Sequence, residues 1–193
     1  MHPLRRIIRA FDRWLSRQLR VQVFTNDPQV IMRIQLARAP RAITLADGVV
    51  AAGAEVLLLH AHNERMPLIP PEGADLAYAV QLRRLQVYSL KATAKHIQAA
   101  PSLQDVQAVG GITAHVTLEE ANGGRAMLEH LGFKVFPYYR PLGAFGEFWE
   151  NFFTWWLMWA YNPASTQRRS MLGLQRVEFW MGVEEFLTKF GAQ

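Results

Sequence analysis

The sequence predicts an α/β fold, a mixed sheet flanked by helices, with an aromatic-rich helical segment added at its C-terminal end. Three observations carry this reading. Glu55 to His62 is nearly continuously apolar in its middle, as a central strand buried on both faces must be. A helical periodicity follows from Asp75 to about Ala99, after which strand-like and helix-like segments alternate as far as Tyr138. The composition then changes abruptly at Gly143, beyond which four of the six tryptophans fall within eleven residues.

Bulk properties bound the classes of function. A chain of 193 residues fits one core with an extension, and 50% hydrophobic with 19% charged residues is the composition of a packed protein, not a disordered one. Cysteine is absent, which excludes structural disulfides, thiolate catalysis and cysteine-built zinc sites and permits a reducing compartment. No run of about 18 apolar residues is present, and the first helix is too charged in its middle for a secretory signal. The expected location is cytoplasmic, peripheral at the inner membrane face if a membrane is involved. The formal charge of +5 is local: residues 1–20 hold six Arg and one Asp, so residues 21–193 sum to zero.

Pro3 suits the first turn of a helix. Leu4, Ile7, Ile8, Phe11, Trp14, Leu15 and Leu19 then recur on one arc, with Arg5, Arg6, Arg9, Arg13, Arg17 and Arg20 opposite. The ordinary packing of such a helix sets its apolar arc on the sheet and leaves the arginines in water. Anionic lipid and nucleic-acid phosphates are alternative partners, and no nucleic-acid-binding motif accompanies the arginines. Strands are expected at Val21 to Thr25, Val30 to Leu36 and Arg41 to Leu45, with turns at Asn26-Asp27-Pro28 and Asp47-Gly48. After the central strand and the Pro-rich stretch Pro67 to Gly73, Asp75 caps the long helix, which Pro101 ends. A short strand near Val106 to Val109 leads into Gly110-Gly111. A helix then covers about Leu118 to Leu131 with Gly132 at its C-terminal cap, and Lys134 to Tyr138 extends again.

From Gly143, Phe145, Phe148, Trp149, Phe152, Phe153, Trp155, Trp156 and Trp159 occupy one broad arc of a helix that Asn162-Pro163 stops. Met171 to Phe190 reads as a final helix, although its apolar residues spread around the circumference. The organisation expected is an α/β domain over residues 1–142 and a helical extension, 143–193, packed on it. Aromatic side chains bury about 150–250 Å² each, more in total than one side of a small domain offers a single helix. A further partner is therefore expected: a second copy or other protein docked through residues 145–159, a bilayer interface, or an acyl chain. The contact residues would be Phe148, Phe152, Trp155, Trp156 and Trp159 with Arg5, Arg9 and Arg13 of the first helix. Burial within the monomer is the alternative.

His60 and His62 lie two apart on a strand, so both point to one face at its C-terminal end, where open α/β sheets form ligand crevices. Imidazole exchanges a proton near neutral pH, and Asn63 and Glu64 can orient it or hold a polar substrate. His115 and Thr113 are placed to reach the same crevice, and the Gly110-Gly111 backbone can stabilise developing negative charge. The bland alternative is that the two imidazoles only make hydrogen bonds at a strand end. Two histidines without a third ligand do not make a metal site.

The stretch "RAITLADGVVAAGAEVLLLHAHN", Arg41 to Asn63, resembles the YkoP-like family of bacterial proteins through Leu45, Asp47, Gly48, His60, His62 and Asn63. The likeness continues through Gly110 to Thr113 and Leu128 to Phe133. The resemblance implies an envelope-related role, since similar domains occur with polysaccharide deacetylases. The order of elements and the segment "AMLEHLGFKVF" also resemble the GNAT acyltransferase fold, which implies acyl-CoA as a cofactor. The chain departs from that pattern before the long helix, where "PPEGADLAY" offers one glycine and two prolines without N–H donors in place of a phosphate-cradling loop. Two functions are expected on these grounds. One is a group (acyl) transferase acting on an amphiphilic substrate at a membrane surface, and the other a non-catalytic lipid-binding or scaffold module docking through its aromatic helix.

Overall fold

The computed structural model describes residues 3–114, 123–139, 143–166, 171 and 174–191. Helix α1 (Pro3–Gln18) ends where Arg20 takes a left-handed backbone with φ 56°. There the Val21 N–H donates back to the Ser16 carbonyl (2.8 Å) and the Arg20 N–H to that of Arg17 (3.1 Å), the paired bonds that close a helix terminus. The helix is rotated part of a turn from the expectation. Ile8 and Asp12 are buried, while Leu4, Ile7, Phe11 and Trp14 of the apolar arc are exposed. Two arginines account for the rotation, because the surface under α1 is aromatic. The guanidinium groups of Arg5 and Arg9 lie 4.9 Å and 4.7 Å over the rings of Trp159 and Tyr161, an attraction between cation and ring face that water does not supply.

Residues 21–25 form no strand beyond a single bridge from Gln22 to Ile34. Strand β1 (Met32–Arg38) is followed by a short hairpin, β2 (Ile43–Thr44) and β3 (Val49–Val50), closed at Asp47-Gly48 by Leu45 N–H to the Gly48 carbonyl at 2.8 Å. The expected Arg41 to Leu45 strand is thus one arm of a separate two-stranded sheet. Central strand β4 (Glu55–Ala61) buries Val56, Leu57 and Leu59.

Helix α2 (Leu76–Ala99) is capped by the Asp75 carboxylate, which accepts from the Tyr78 N–H at 2.7 Å. Strand β5 (Ala108–Thr113) and helix α3 (Gly123–His130) follow. Gly132, at φ 93°, closes α3 with Phe133 N–H on the Leu128 carbonyl (3.0 Å), and β6 (Lys134–Pro137) extends from there. The aromatic helix is α4 (Gly143–Tyr161).

The last segment corrects the expectation of one helix from Met171 to Phe190. Val177–Gly182 is strand β7, and among the described residues of this segment Val183–Gly191 alone is helical, as α5. Five of the six β7 residues are buried, because the strand sits inside the sheet with both faces covered. Such a strand carries no period-2 alternation, which is why its apolar residues appeared to surround a helix.

The five-stranded sheet has the order β1-β4-β5-β7-β6. Only β4 and β5 run parallel; the other neighbours are antiparallel. Residues 143–193 therefore contribute an inner strand as well as the aromatic helix. One face of the sheet packs on α2, α3 and α5 through Leu57, Leu59, Val109 and Met181 against Leu90, Ala94, Leu128 and Phe186. The other carries the β2-β3 hairpin, with Ile43, Leu45 and Val50 on Val56, Ala108 and Trp180.

Candidate functional site

Strands β4 and β5 are ladder partners only from Val56 with Ala108 to Leu58 with Gly110. Beyond that point β4 continues to Ala61 along β1, and β5 to Thr113 along β7. The two strands thus fork at their carboxyl ends, at the one parallel step of the sheet, which is where α/β sheets open a ligand crevice.

Helix α4 crosses this end of the sheet. Midway along it, Tyr138, just after β6, donates to Glu150 (3.0 Å), and Asn151 donates to the Leu174 carbonyl ahead of β7 (3.2 Å). Arg176 reaches both Asn151 and Thr154. After its end, Asn162 donates to the Pro67 carbonyl (3.2 Å) and accepts from the Ile69 N–H (3.2 Å), in the connection that leaves β4. The fork lies between these two anchor points.

The polar residues at the end of β4 are held from three sides. His60 is paired with Arg33 of β1 in register, and its Nε2 is 2.8 Å from Gln35 Oε1. With that oxygen accepting, Nε2 carries the proton. Burial, aided by the Arg33 charge, holds the His60 imidazole at a pKa of about 4, so it is neutral at physiological pH. His62 follows the strand and is buried, with its N–H on the Ile31 carbonyl (2.8 Å). Its Nε2 is 3.9 Å from Glu64 Oε2, and its Nδ1 is buried with no hydrogen-bond partner. Burial first, then the charges of Arg65 and Arg33, lower the His62 pKa against the opposing pull of Glu64 and Asp12.

The surroundings of His62 are built from distant parts of the chain. Glu64 accepts from Arg13 of α1 (3.3 Å), and Asp12 accepts from the Tyr161 hydroxyl at the end of α4 (3.1 Å). Arg33 ties Ser16 of α1 (3.0 Å) to the Ala61 carbonyl (3.1 Å). Arg65 serves the loop instead, donating to the carbonyls of Thr25, Asp27 and Val30.

His60, His62, Asn63 and Glu64 thus gather at one end of β4, while Gly110 is still the ladder partner of Leu58 and Gly111 and Thr113 follow it along β5. The two glycines have a packing reason of their own. A Cβ at Gly110 would overlap the Trp180 ring and the Phe179 carbonyl, and one at Gly111 would lie 2.7 Å from the Leu59 carbonyl oxygen. His115 lies outside the described residues. Arg5 and Arg9 turn inward onto α4, and Arg13 pairs with Glu64. Phe148 is exposed, while Phe152, Trp155, Trp156 and Trp159 are half-buried. Asp12, Gln35, Arg33 and Tyr161 were not anticipated at the site. Asp12 had a signal, being the one acidic residue among the six arginines of residues 1–20. Among the described residues, no three His, Asp or Glu side chains converge closely enough to share a metal ion.

A family model described as "YkoP domain" matches residues 3–190 of the chain. No curated protein and no solved structure matches it.

Proposed function

The chain belongs to the YkoP domain family, and on that premise we propose that it is a group-transfer domain. Its substrate, an amphiphile, lies at the fork of β4 and β5, and His62 acts as the general base. The observation that carries this reading is the unpartnered Nδ1 of a buried imidazole beside the carboxyl end of β4. A buried polar atom without a partner costs about 1–3 kcal/mol, and such a cost is retained where the atom has a task. Glu64 beside Nε2 favours the tautomer with its proton there and leaves the Nδ1 lone pair free. The lowered pKa keeps that lone pair available at neutral pH. In the transfer step, Nδ1 takes the proton of an acceptor hydroxyl or amine as that group attacks the carbonyl carbon of an acyl donor, and returns it to the leaving group.

Acyl-CoA in its usual mode is a poor fit as donor. The N-terminus of α2, where a pyrophosphate would sit, is occupied by the protein's own Asp75 carboxylate, and Pro70 and Pro71 ahead of it offer no N–H. This favours, as a second reading, a non-catalytic module that only holds the amphiphile.

The test offers purified protein a panel of thioester and ester acyl donors with a detergent-solubilised envelope lipid extract and follows group transfer by mass spectrometry. The enzyme reading expects transfer by the wild type and a loss of about 100-fold or more in His62→Gln with an unchanged circular dichroism spectrum. Equal rates in both proteins would remove His62 as the base. Absence of transfer, with a lipid retained in native mass spectrometry, would leave the binding module.

A further inference from the structure

Helix α1 divides into three sectors at about 100° per residue. One faces the protein and holds Ile8, Asp12, Arg5 and Arg9. The second is apolar and faces outward: Ile7 is 65%, Phe11 46% and Trp14 53% exposed. The third, next to the apolar sector on the side of Trp14, carries Arg6, Arg13 and Arg17, all exposed, with Arg13 also paired to Glu64. Helix α4 extends the apolar surface. Phe11 meets Phe153 edge-on at 5.6 Å, and beyond it Phe145 and Trp149 stand 76% and 52% exposed in a chain of ring contacts through Phe148 and Phe152.

A folded chain that has a core available leaves this many large apolar rings in water only where something else covers them. We infer that the outward face of α1 and α4 docks on an anionic lipid bilayer, with the apolar sector of α1 lying in the interface plane and the arginine sector on the headgroups. Charge complementarity selects this occupant. The whole +5 of the chain is concentrated in residues 1–20, so a second copy docked on the same face would bring two such helices together, against like-charge repulsion. Negative headgroups remove that repulsion. Trp and Phe beside Arg is the side-chain set that binds at the depth where headgroups meet acyl chains. The attachment is interfacial: among the described residues no helix is long and apolar enough to cross a membrane.

This inference is tested apart from the role of His62, because the residues its variants change, Phe11, Trp149, Arg6 and Arg17, are exposed on α1 and α4. Its test is sedimentation with vesicles of phosphatidylcholine containing about 30% phosphatidylglycerol, against pure phosphatidylcholine, at about 50 and 500 mM salt. The protein is expected to sediment with the anionic vesicles at low salt and to be released at high salt. The exposed double variant Phe11→Ser/Trp149→Ser should bind at least tenfold more weakly, and Arg6→Gln/Arg17→Gln about thirtyfold more weakly on the anionic vesicles, at roughly 1 kcal/mol per basic residue. Unchanged melting temperatures would show that both variants fold. Wild-type protein that stays in the supernatant, or binding untouched by the aromatic variant, would overturn the inference. So would a wild-type dimer in light scattering that Phe11→Ser/Trp149→Ser converts to monomer, since the face would then belong to a second copy.

Discussion

Acidification should unfold this protein through His60. The imidazole is held at a pKa of about 4 in the fold, against 6.5 in the unfolded chain. Between those values the unfolded chain binds a proton that the folded one refuses, so acid favours unfolding. Stability from this group is fully present above about pH 6.5 and is lost as the pH falls toward 4. At about 1.4 kcal/mol per pH unit, the drop corresponds to about 3 kcal/mol. His62, whose pKa is lowered by the same burial and the same Arg33, pulls in the same direction. The assay is urea unfolding of wild type and His60→Gln at intervals from pH 7.5 to 4, comparing how unfolding free energy changes with pH in each protein. Gln can keep a hydrogen bond to Gln35 and does not titrate. The wild type should therefore lose about 3 kcal/mol more than the variant across this range, whatever their difference at pH 7.5. Parallel curves would refute the reasoning, because they would mean that His60 takes up its proton in the fold as easily as in the unfolded chain.

Two further outcomes rest on packing at the site. Gly110→Ala should destabilise by more than about 3 kcal/mol or prevent folding, because its Cβ would meet both a backbone oxygen and the buried Trp180 ring; a melting temperature within a few degrees of wild type would show that β5 and β7 can move apart. Tyr161→Phe removes the hydroxyl that donates to the buried Asp12 carboxylate. It should cost about 1–3 kcal/mol in chemical denaturation and loosen α1 first in hydrogen exchange, whereas uniform protection in α1 would mean that Ile8 and the arginine contacts suffice to hold it.

Much of the architecture was legible because its signals are local. Asp75 and Gly132 mark helix ends by their own hydrogen-bonding and conformational chemistry, and Asp47-Gly48 marks a turn in the same way. The period of 2 places His60 and His62 at one strand end before any tertiary contact is known. The apolar run of β4 announces a strand buried on both faces, and the family likeness in the same stretch names the lineage.

What the sequence could not decide is what each surface meets. Amphipathicity says that α1 has an apolar side and a charged side, and nothing local says which side the protein itself will take. The rings of Trp159 and Tyr161, more than a hundred residues away, draw Arg5 and Arg9 inward and leave Phe11 and Trp14 outside. Likewise β7 is a strand because β5 and β6 pair with it on both edges, a partnership that Val177–Gly182 does not encode alone. The setting of His62 is partly non-local for the same reason. Glu64 and Arg65 are its chain neighbours, but Asp12 and Arg33 come from distant segments, Asp12 being held by Tyr161 through the packing of α1 on α4, so that part of the charge around the imidazole exists only once the tertiary structure has formed.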